Sequence, residues 1–256
     1  MADFDGEKYK VASKHQKEWG ERLIDDLALK GDERVMDLGC GDGFLTKKIS
    51  DLVPKGSVLG IDSSASMIAT AKKLEASNLR FQQLDIYDLD FDEEFDVAFS
   101  NAALHWVKNH DRLLGRVYSA LRPWGLVRFN FAGDGNSSNF FTVVREVVAM
   151  PRYMRFFDAM EWPWFMPSTS AYEALIKHHR FSEPNVWTEN ADRLFTEDEM
   201  VHWIDQPSIV PFIAMVGIDD KKAFRDEVVN RMLQRTKTPD GRHFETFRRL
   251  NLRAWK

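Results

Sequence analysis

Cysteine is almost absent from this sequence. The single Cys40 excludes an internal disulfide and any zinc site built from several thiolates. Long apolar runs are missing as well: no stretch approaches the ~18 residues that a membrane-spanning helix needs. The start, MADFDGEKYK, is acidic and polar and does not read as a signal peptide. A soluble, cytoplasmic protein that does not bind a membrane is therefore expected. There is no internal repeat and no low-complexity tract. No G-K-[ST] step follows a glycine loop, so a phosphate loop of the nucleotide-triphosphatase type is excluded. Basic charge is not in excess. Thirty-five Lys and Arg stand against 40 Asp and Glu, a net charge of −5, which argues against a nucleic-acid binder. The seven histidines include His178-His179, but no cysteine or carboxylate set at ligand spacing accompanies them, so no metal is expected.

What is there is ordinary globular material. The 256 residues are 44% apolar and 29% charged, enough to bury a full core without staples. The charge is uneven. From Lys221 to Lys256, 11 Lys and Arg face 4 Asp and Glu. This is either a solvated surface or a positive field that draws in a small anionic substrate.

Between residues 31 and 131 short apolar runs alternate with amphipathic stretches. Arg34–Leu38, Ser57–Asp62, Leu79–Leu84, Phe95–Ser100 and Leu126–Phe131 read as strands. Phe44–Val53, Ser64–Ala76 and His110–Leu121 read as helices, and Pro123-Trp124-Gly125 as a turn. Strand and helix in alternation mean a parallel sheet with right-handed crossovers, an α/β fold. Glu7–Leu29 predicts one or two amphipathic helices. After Gly133 the texture changes to Met, Trp and Phe interrupted by Pro151, Pro163 and Pro167. Further helices are expected over Ser168–His179, Glu197–Ile204 and Asp219–Gln234, and strands over Val186–Phe195 and Phe244–Ala254. Segments 133–170 and 205–240 are expected over the carboxyl edge of the sheet, where open α/β sheets bind ligands.

Asp37-Leu38-Gly39-Cys40-Gly41-Asp42-Gly43 follows the first strand and opens a helix. Glycines there allow a tight turn and let a ligand approach the backbone. The spacing is G-x-G-x-G. A dinucleotide fingerprint would need glycine at 44, which is Phe44. Asp62 ends the next strand, placed to accept hydrogen bonds from ribose hydroxyls. A plain turn and a dinucleotide site remain open; a site for an adenosine ligand without a pyrophosphate fits the spacing better.

VMDLGCGDG, VLGIDSSASMI, LDIYDL and FDVAFSNAALHW, in that order over about 31–131, resemble the class I S-adenosylmethionine-dependent methyltransferases. The resemblance implies a Rossmann-like, seven-stranded, mostly parallel sheet with helical insertions over its carboxyl edge. It implies S-adenosylmethionine as donor, S-adenosylhomocysteine as product and no metal. Asp37 and Gly39, Cys40, Gly41 and Gly43 would hold the methionine end. Asp62 would take the ribose, Ser63 and Met67 would line the adenine, and Asp85 with Ile86 would present to its amino group. Asn101 and Ala102 would flank the sulfonium. For Met67 and Ile86 plain core packing is the other reading. The chain would then be one domain, with 1–30 a helical cap, 31–132 the donor-binding core, and 133–256 the substrate-side insertion and sheet completion.

Tyr9 to Gln16, the NAALHWV segment, the Trp- and Met-rich insertion and the last strand are similar to trans-aconitate and juvenile hormone acid methyltransferases. Malonyl-carrier-protein carboxyl methyltransferases are more distantly similar. All three esterify a carboxylate, so the resemblance implies a small organic acid as acceptor and a monomer or homodimer. Tyr9 and Gln16 would close over donor and acceptor. His105 and Trp106 directly follow the fourth strand, where the acceptor should sit. His105 would donate a hydrogen bond to a carboxylate, or act as base if the acceptor were a neutral hydroxyl or amine. Arg152 and Arg155 could clamp a second carboxylate or be two exposed helix charges. Trp162 and Trp164, in the densest apolar patch, could line the pocket or form core. A protein that binds the donor without catalysis is the remaining class.

Overall fold

A computed structural model describes residues 14–256, with side chains from Trp19 onward except at 206 and 207. Helix α1 (Lys14–Asp25) leads into strand β1 (Arg34–Leu38), then α2 (Phe44–Leu52), β2 (Ser57–Asp62), α3 (Ala65–Ala71), β3 (Leu79–Gln83) and β4 (Phe95–Asn101). Helix α4 (His110–Ala120) and β5 (Leu121–Ala132) follow. These strands read as near-continuous apolar runs because both faces of the sheet are covered. Val35, Met36 and Leu38 of β1 are fully buried, and so are Ala98 and Phe99 of β4. Caps start the helices where the sequence offers them. The Ser64 hydroxyl accepts from the Met67 N–H at 3.4 Å, and the Asn109 side chain accepts from the Arg112 N–H at 2.9 Å.

The second half comprises α5 (Ser138–Val148), α6 (Thr169–Ile176), β6 (Ser182–Asn190), β7 (Arg193–Phe195), α7 (Glu197–Trp203), α8 (Val210–Met215), α9 (Lys221–Thr236), β8 (His243–Glu245) and β9 (Arg248–Trp255). The main sheet has seven strands in the order β3-β2-β1-β4-β5-β9-β6. All pairs from β3 to β5 are parallel; β9 lies antiparallel to both β5 and β6. This is the Rossmann-like, mostly parallel sheet the sequence implies.

Three boundaries differ from expectation. Strand β5 starts at Leu121 and runs through the Pro-Trp-Gly step. There the Trp124 N–H donates to the Lys256 carbonyl at 3.0 Å and the Lys256 N–H to the Gly125 carbonyl at 2.9 Å, so the chain end supplies ladder partners. The strand expected over Val186–Phe195 breaks into β6 and β7, and the last strand breaks into β8 and β9. The Ala191 N–H donates to the Phe247 carbonyl (2.8 Å) and the Phe247 N–H to the Asp192 carboxylate (3.0 Å). Beyond this crossing, β7 and β8 pair as a separate two-stranded ribbon, with one further bridge from His243 to Lys237.

The two-stranded ribbon belongs to a second apolar core, built from α5, α7, α8 and α9 around Phe140, Phe212 and Phe224, all fully buried. Glu245 of β8 anchors it. Its buried carboxylate accepts from the N–H groups of Asn139 (3.2 Å), Phe140 (2.8 Å) and Thr246 (2.7 Å), capping α5 from a distant part of the chain. Burial raises its pKa while these backbone N–H groups hold it down. Glu245→Ala orphans two helix-terminal donors and is expected to destabilise the protein by roughly 2–4 kcal/mol in a urea melt. A loss below about 0.5 kcal/mol would show that the cap carries no weight.

Candidate functional site

The carboxyl ends of β1, β2 and β4 meet at the glycine loop. The N–H groups of Gly39 and Cys40 both donate to the Ile61 carbonyl, at 2.8 and 2.9 Å, tying the loop to β2. Gly39 takes φ +74°, and a Cβ there would lie 2.2 Å from the Ala103 Cβ. Its hydrogen therefore lets the loop pack onto the turn after β4. Gly41 takes φ +54° with no heavy atom within 4 Å of where a Cβ would stand. The loop is closed on its inner side and open on its outer side, a cradle left for a ligand.

Two carboxylates face this cradle. Asp62 is fixed by its own turn: one oxygen accepts from the Gly41 N–H at 3.0 Å and the other from the Ser64 N–H at 2.9 Å. Burial raises its pKa. Asp37 is 2% exposed and accepts from the Thr46 hydroxyl at 2.7 Å. Burial first, and the Asp62 charge after it, push its pKa up to about 7. Among the described residues neither carboxylate has a cationic partner. Two desolvated acids with no cationic partner among the described residues make the ionised pair costly, which a positive charge placed beside them would relieve. Cys40 is buried in the loop, its thiol pKa pushed well up by burial and by the neighbouring acids.

Met67, 4% exposed on α3, and half-buried Ser63 flank Asp62. Asp85 caps the short turn Ile86–Asp88 by accepting from the Tyr87 N–H at 2.9 Å, and Ile86 packs against the core beneath the sheet. At the end of β4, Asn101 is followed by Ala102 at φ +58°. A non-glycine residue held there stores roughly 1–2 kcal/mol of strain. The Ala102 N–H donates to the Asn130 carbonyl at 2.7 Å, which holds the bend. Helix α1 crosses this edge closely: a side chain at position 20 would meet Leu45 at 2.2 Å and the Asn101 amide at 3.0 Å. Gln16 lies in α1 with its side chain outside the described set, and Tyr9 lies outside the described residues.

His105 and Trp106 occupy the turn Leu104–Trp106. His105 is half-buried. Its Nδ1 is enclosed and meets no hydrogen-bond partner among the described residues. Burial, with the nearby charge of Arg249 and then His110, pushes its pKa down to about 3. The imidazole is neutral throughout the working range. Arg249 lies on β9, 5% exposed, its Nε and Nη2 donating to the Asn130 Oδ1 at 2.8 and 2.6 Å. Its guanidinium also stacks 4.9 Å over the Trp19 ring. Sequence reasoning missed Arg249, Asn130 and Gly20. The register that sets Asn130 beside Asn251 and Ala132 beside Arg249 exists only in the folded sheet; the sole hint was the basic balance of the C-terminal stretch.

The remaining candidates fall elsewhere. Arg152 and Arg155 are exposed, at 55% and 68%, and share the carboxylate of Asp220 at 2.7 and 3.3 Å, so they are surface charges with a partner. Trp164 is 7% exposed within the second core and packs 5.2 Å from the Trp106 ring and 5.7 Å from Trp162. The Trp patch is thus core at its centre, with Trp106 as its link to the end of β4. A cavity of about 720 Å³ lies beside α1 over β5, β9 and β6, between Trp19, Arg128, Asn130 and Arg249. None of its walls belongs to the glycine loop.

Residues 35–125 match a family model described as a methyltransferase domain. A trans-aconitate 2-methyltransferase of Deinococcus radiodurans is 47% identical over 94 residues, 37% of this chain and 36% of that relative, so this match spans about a third of the relative's length. Over 251 residues, 96% of this chain and 94% of the relative, the chain is 27% identical to a trans-aconitate 2-methyltransferase of Mycobacterium tuberculosis. Among solved structures, a phosphoethanolamine N-methyltransferase 2 of Haemonchus contortus, held with phosphomonomethylethanolamine and S-adenosylhomocysteine, superposes with a TM-score of 0.58 at 18% identity. That likeness covers 93% of this chain and 52% of the other, and it is a likeness of fold.

Proposed function

We propose that this chain is a class I S-adenosylmethionine-dependent methyltransferase similar to the trans-aconitate methyltransferases, and that its acceptor is the carboxylate oxygen of a small organic acid. The observation that carries this reading is His105, set in the turn after β4 with an enclosed Nδ1 that meets no hydrogen-bond partner among the described residues. It is a neutral imidazole beside the buried Arg249 cation at the carboxyl edge. A base whose conjugate acid has a pKa of about 3 takes a proton from a phenol only at a cost of roughly 10 kcal/mol. The same surroundings favour an anion that brings no proton to remove. A carboxylate is already ionised near neutral pH.

The residues fit the donor. The cradle over Gly41 and the two carboxylates, which have no cationic partner among the described residues, suit a ligand carrying an ammonium and a sulfonium. Asp37 and Gly39–Gly43 hold its methionine end, Asp62 its ribose, Ser63 and Met67 with Asp85 and Ile86 its adenine. Asn101 and Ala102 flank the reacting centre. Bound S-adenosylmethionine supplies a methyl carbon made electrophilic by the sulfonium. The chain's own task is to orient an oxygen toward that carbon and exclude water, worth ~7–11 kcal/mol in well-aligned cases. His105 donates a hydrogen bond that orients the acceptor, the field of Arg249 favours its negative charge, and Trp106 shields it.

Labelled S-adenosylmethionine offered with small acids, hydroxylated aromatics and amines tests this. Base-labile label in a volatile ester is expected. With both substrates saturating, kcat is expected to be flat from about pH 5 to 9, because the acceptor is ionised and His105 neutral throughout. His105→Asn is expected to lower kcat about ten- to thirtyfold. Base-stable label, an inflection near pH 6.5 and a loss beyond about a thousandfold would establish His105 as a general base instead.

A further inference from the structure

His110 stands at the first position of α4 yet serves the turn before it. Its ring is buried among Phe131, Phe165 and Tyr172, with centroids 5.2, 4.6 and 5.4 Å away. Both ring nitrogens are engaged. Nε2 lies 2.9 Å from the Leu104 carbonyl oxygen and Nδ1 2.9 Å from the Tyr172 hydroxyl. A carbonyl oxygen only accepts, so Nε2 carries the hydrogen. Nδ1 of the neutral ring then accepts from the tyrosine O–H. Burial holds the His110 pKa down to about 4 and pushes that of Tyr172 up, so both groups stay neutral. The chain of donors therefore runs one way, from Tyr172 through His110 to Leu104.

Leu104 precedes His105 in the turn Leu104–Trp106. Its carbonyl also accepts from the Val107 N–H at 2.9 Å, which fills both lone pairs. On the other side of the turn, the His105 carbonyl accepts from the Phe165 N–H at 2.8 Å. His105 is thus gripped by its backbone before and after, with Phe165 contributing to both grips through its N–H and its ring. Helix α4 does not need the imidazole to start, since Asn109 supplies the cap. An apolar side chain could fill the same aromatic box without burying two polar groups. What the imidazole adds is a donor aimed at the Leu104 carbonyl and steadied by the Tyr172 hydroxyl, with the Val107 carbonyl also close to the ring.

We propose that Tyr172 and His110 are positioning residues for methyl transfer. They hold the turn Leu104–Trp106 so that His105 and Trp106 meet the acceptor in one geometry. This rests on the placement of the acceptor at His105 given above. Buried polar chains of this kind rigidify when every member is satisfied, and a misplacement near 1 Å can cost about a hundredfold in rate.

Three variants divide the effects. Tyr172→Phe removes one hydroxyl. His110→Leu removes the donor to Leu104. His110→Gln keeps an N–H near the place of Nε2. Nitrogen-15 spectra of the intact protein are expected to show His110 as the Nε2–H tautomer, and Tyr172→Phe to keep it, because the Leu104 carbonyl still requires the donor. Exchange of the Trp106 and Val107 amides is expected to quicken in Tyr172→Phe and His110→Leu. In the same two variants kcat is expected to fall about ten- to thirtyfold, with donor Kd within about twofold. His110→Gln is expected to recover to within about fourfold of the parent. A kcat within about threefold in both Tyr172→Phe and His110→Leu overturns the proposal. So does a donor Kd that weakens in step with kcat, or a glutamine no better than leucine. If His110→Leu does not fold, Tyr172→Phe decides. If no acceptor is methylated by the parent, the functional reading fails on its own. The exchange of the Trp106 and Val107 amides then still tests the grip, and unchanged rates in Tyr172→Phe overturn it.

Discussion

Gly39→Ala is expected to destabilise the protein by roughly 2–4 kcal/mol and to weaken S-adenosylmethionine binding at least about a hundredfold. Two penalties coincide at this residue. The backbone sits at φ +74°, and the new methyl would stand 2.2 Å from the Ala103 Cβ. Ala103 cannot retreat, because it precedes the turn that His110 holds and follows the strained Ala102. The loop must therefore lift away from the end of β4, which would spread the groups proposed to hold the donor.

Gly41→Ala separates the two penalties. Its φ is also positive, +54°, but nothing lies within 4 Å of the added methyl. The stability loss is expected to be only about 1 kcal/mol, while the methyl fills the open side of the cradle and donor binding falls at least about thirtyfold. Urea melts and titration calorimetry on the two variants make the comparison. A Gly41→Ala protein that binds the donor as tightly as the parent would place the ligand somewhere other than over this loop.

The parallel half of the sheet was legible in the sequence because its signals are local. Each strand there is a short apolar run, each helix has a cap or a period, and the glycine loop is contiguous. The antiparallel edge was less so. The strand that carries Arg249 breaks at Thr246-Phe247 because Ala191, Asp192 and Phe247 bond across a crossing made by residues 55 apart. No periodicity within either segment announces that crossing. The same holds for the cations. Arg152 and Arg155 stood beside the aromatic insertion in sequence, yet both turn to Asp220. Arg249 stood in the expected final strand without being singled out, yet the register of β5 and β9 brings it to Asn130. For Trp162 and Trp164 composition could not separate pocket from core. The buried ring of Trp164, packed against Trp106 and Phe212, decides for core at that position.

Asp37→Asn is expected to raise the stability of the donor-free protein at pH 8 and to weaken donor binding at least tenfold. The sign follows from the two pKa values. In the unfolded chain Asp37 titrates near 3.8; in the folded protein burial and Asp62 push it up to about 7. Between these values the native state holds a proton that the unfolded state has released. Stability therefore falls as pH rises through that window, by an amount on the order of 4 kcal/mol, and the full penalty stands above pH 7. The buried histidines act in the opposite sense. His110, pushed down to about 4, contributes stability that is complete above pH 6.5 and is lost as pH falls toward 4. The difference between parent and Asp37→Asn cancels that contribution. The asparagine oxygen can still accept from Thr46, so the variant loses charge rather than its hydrogen bond. On the proposed reading a cationic donor would bind the ionised carboxylate. Its affinity for the parent is expected to be level above about pH 7.5 and to fall toward tenfold per unit below pH 7, with no such fall in Asp37→Asn. Melting midpoints and donor Kd from pH 5.5 to 8.5 on both proteins read the two effects together. A parent affinity that does not change with pH, beside a variant less stable at pH 8, would mean that Asp37 is an ordinary buried acid already neutralised by its surroundings.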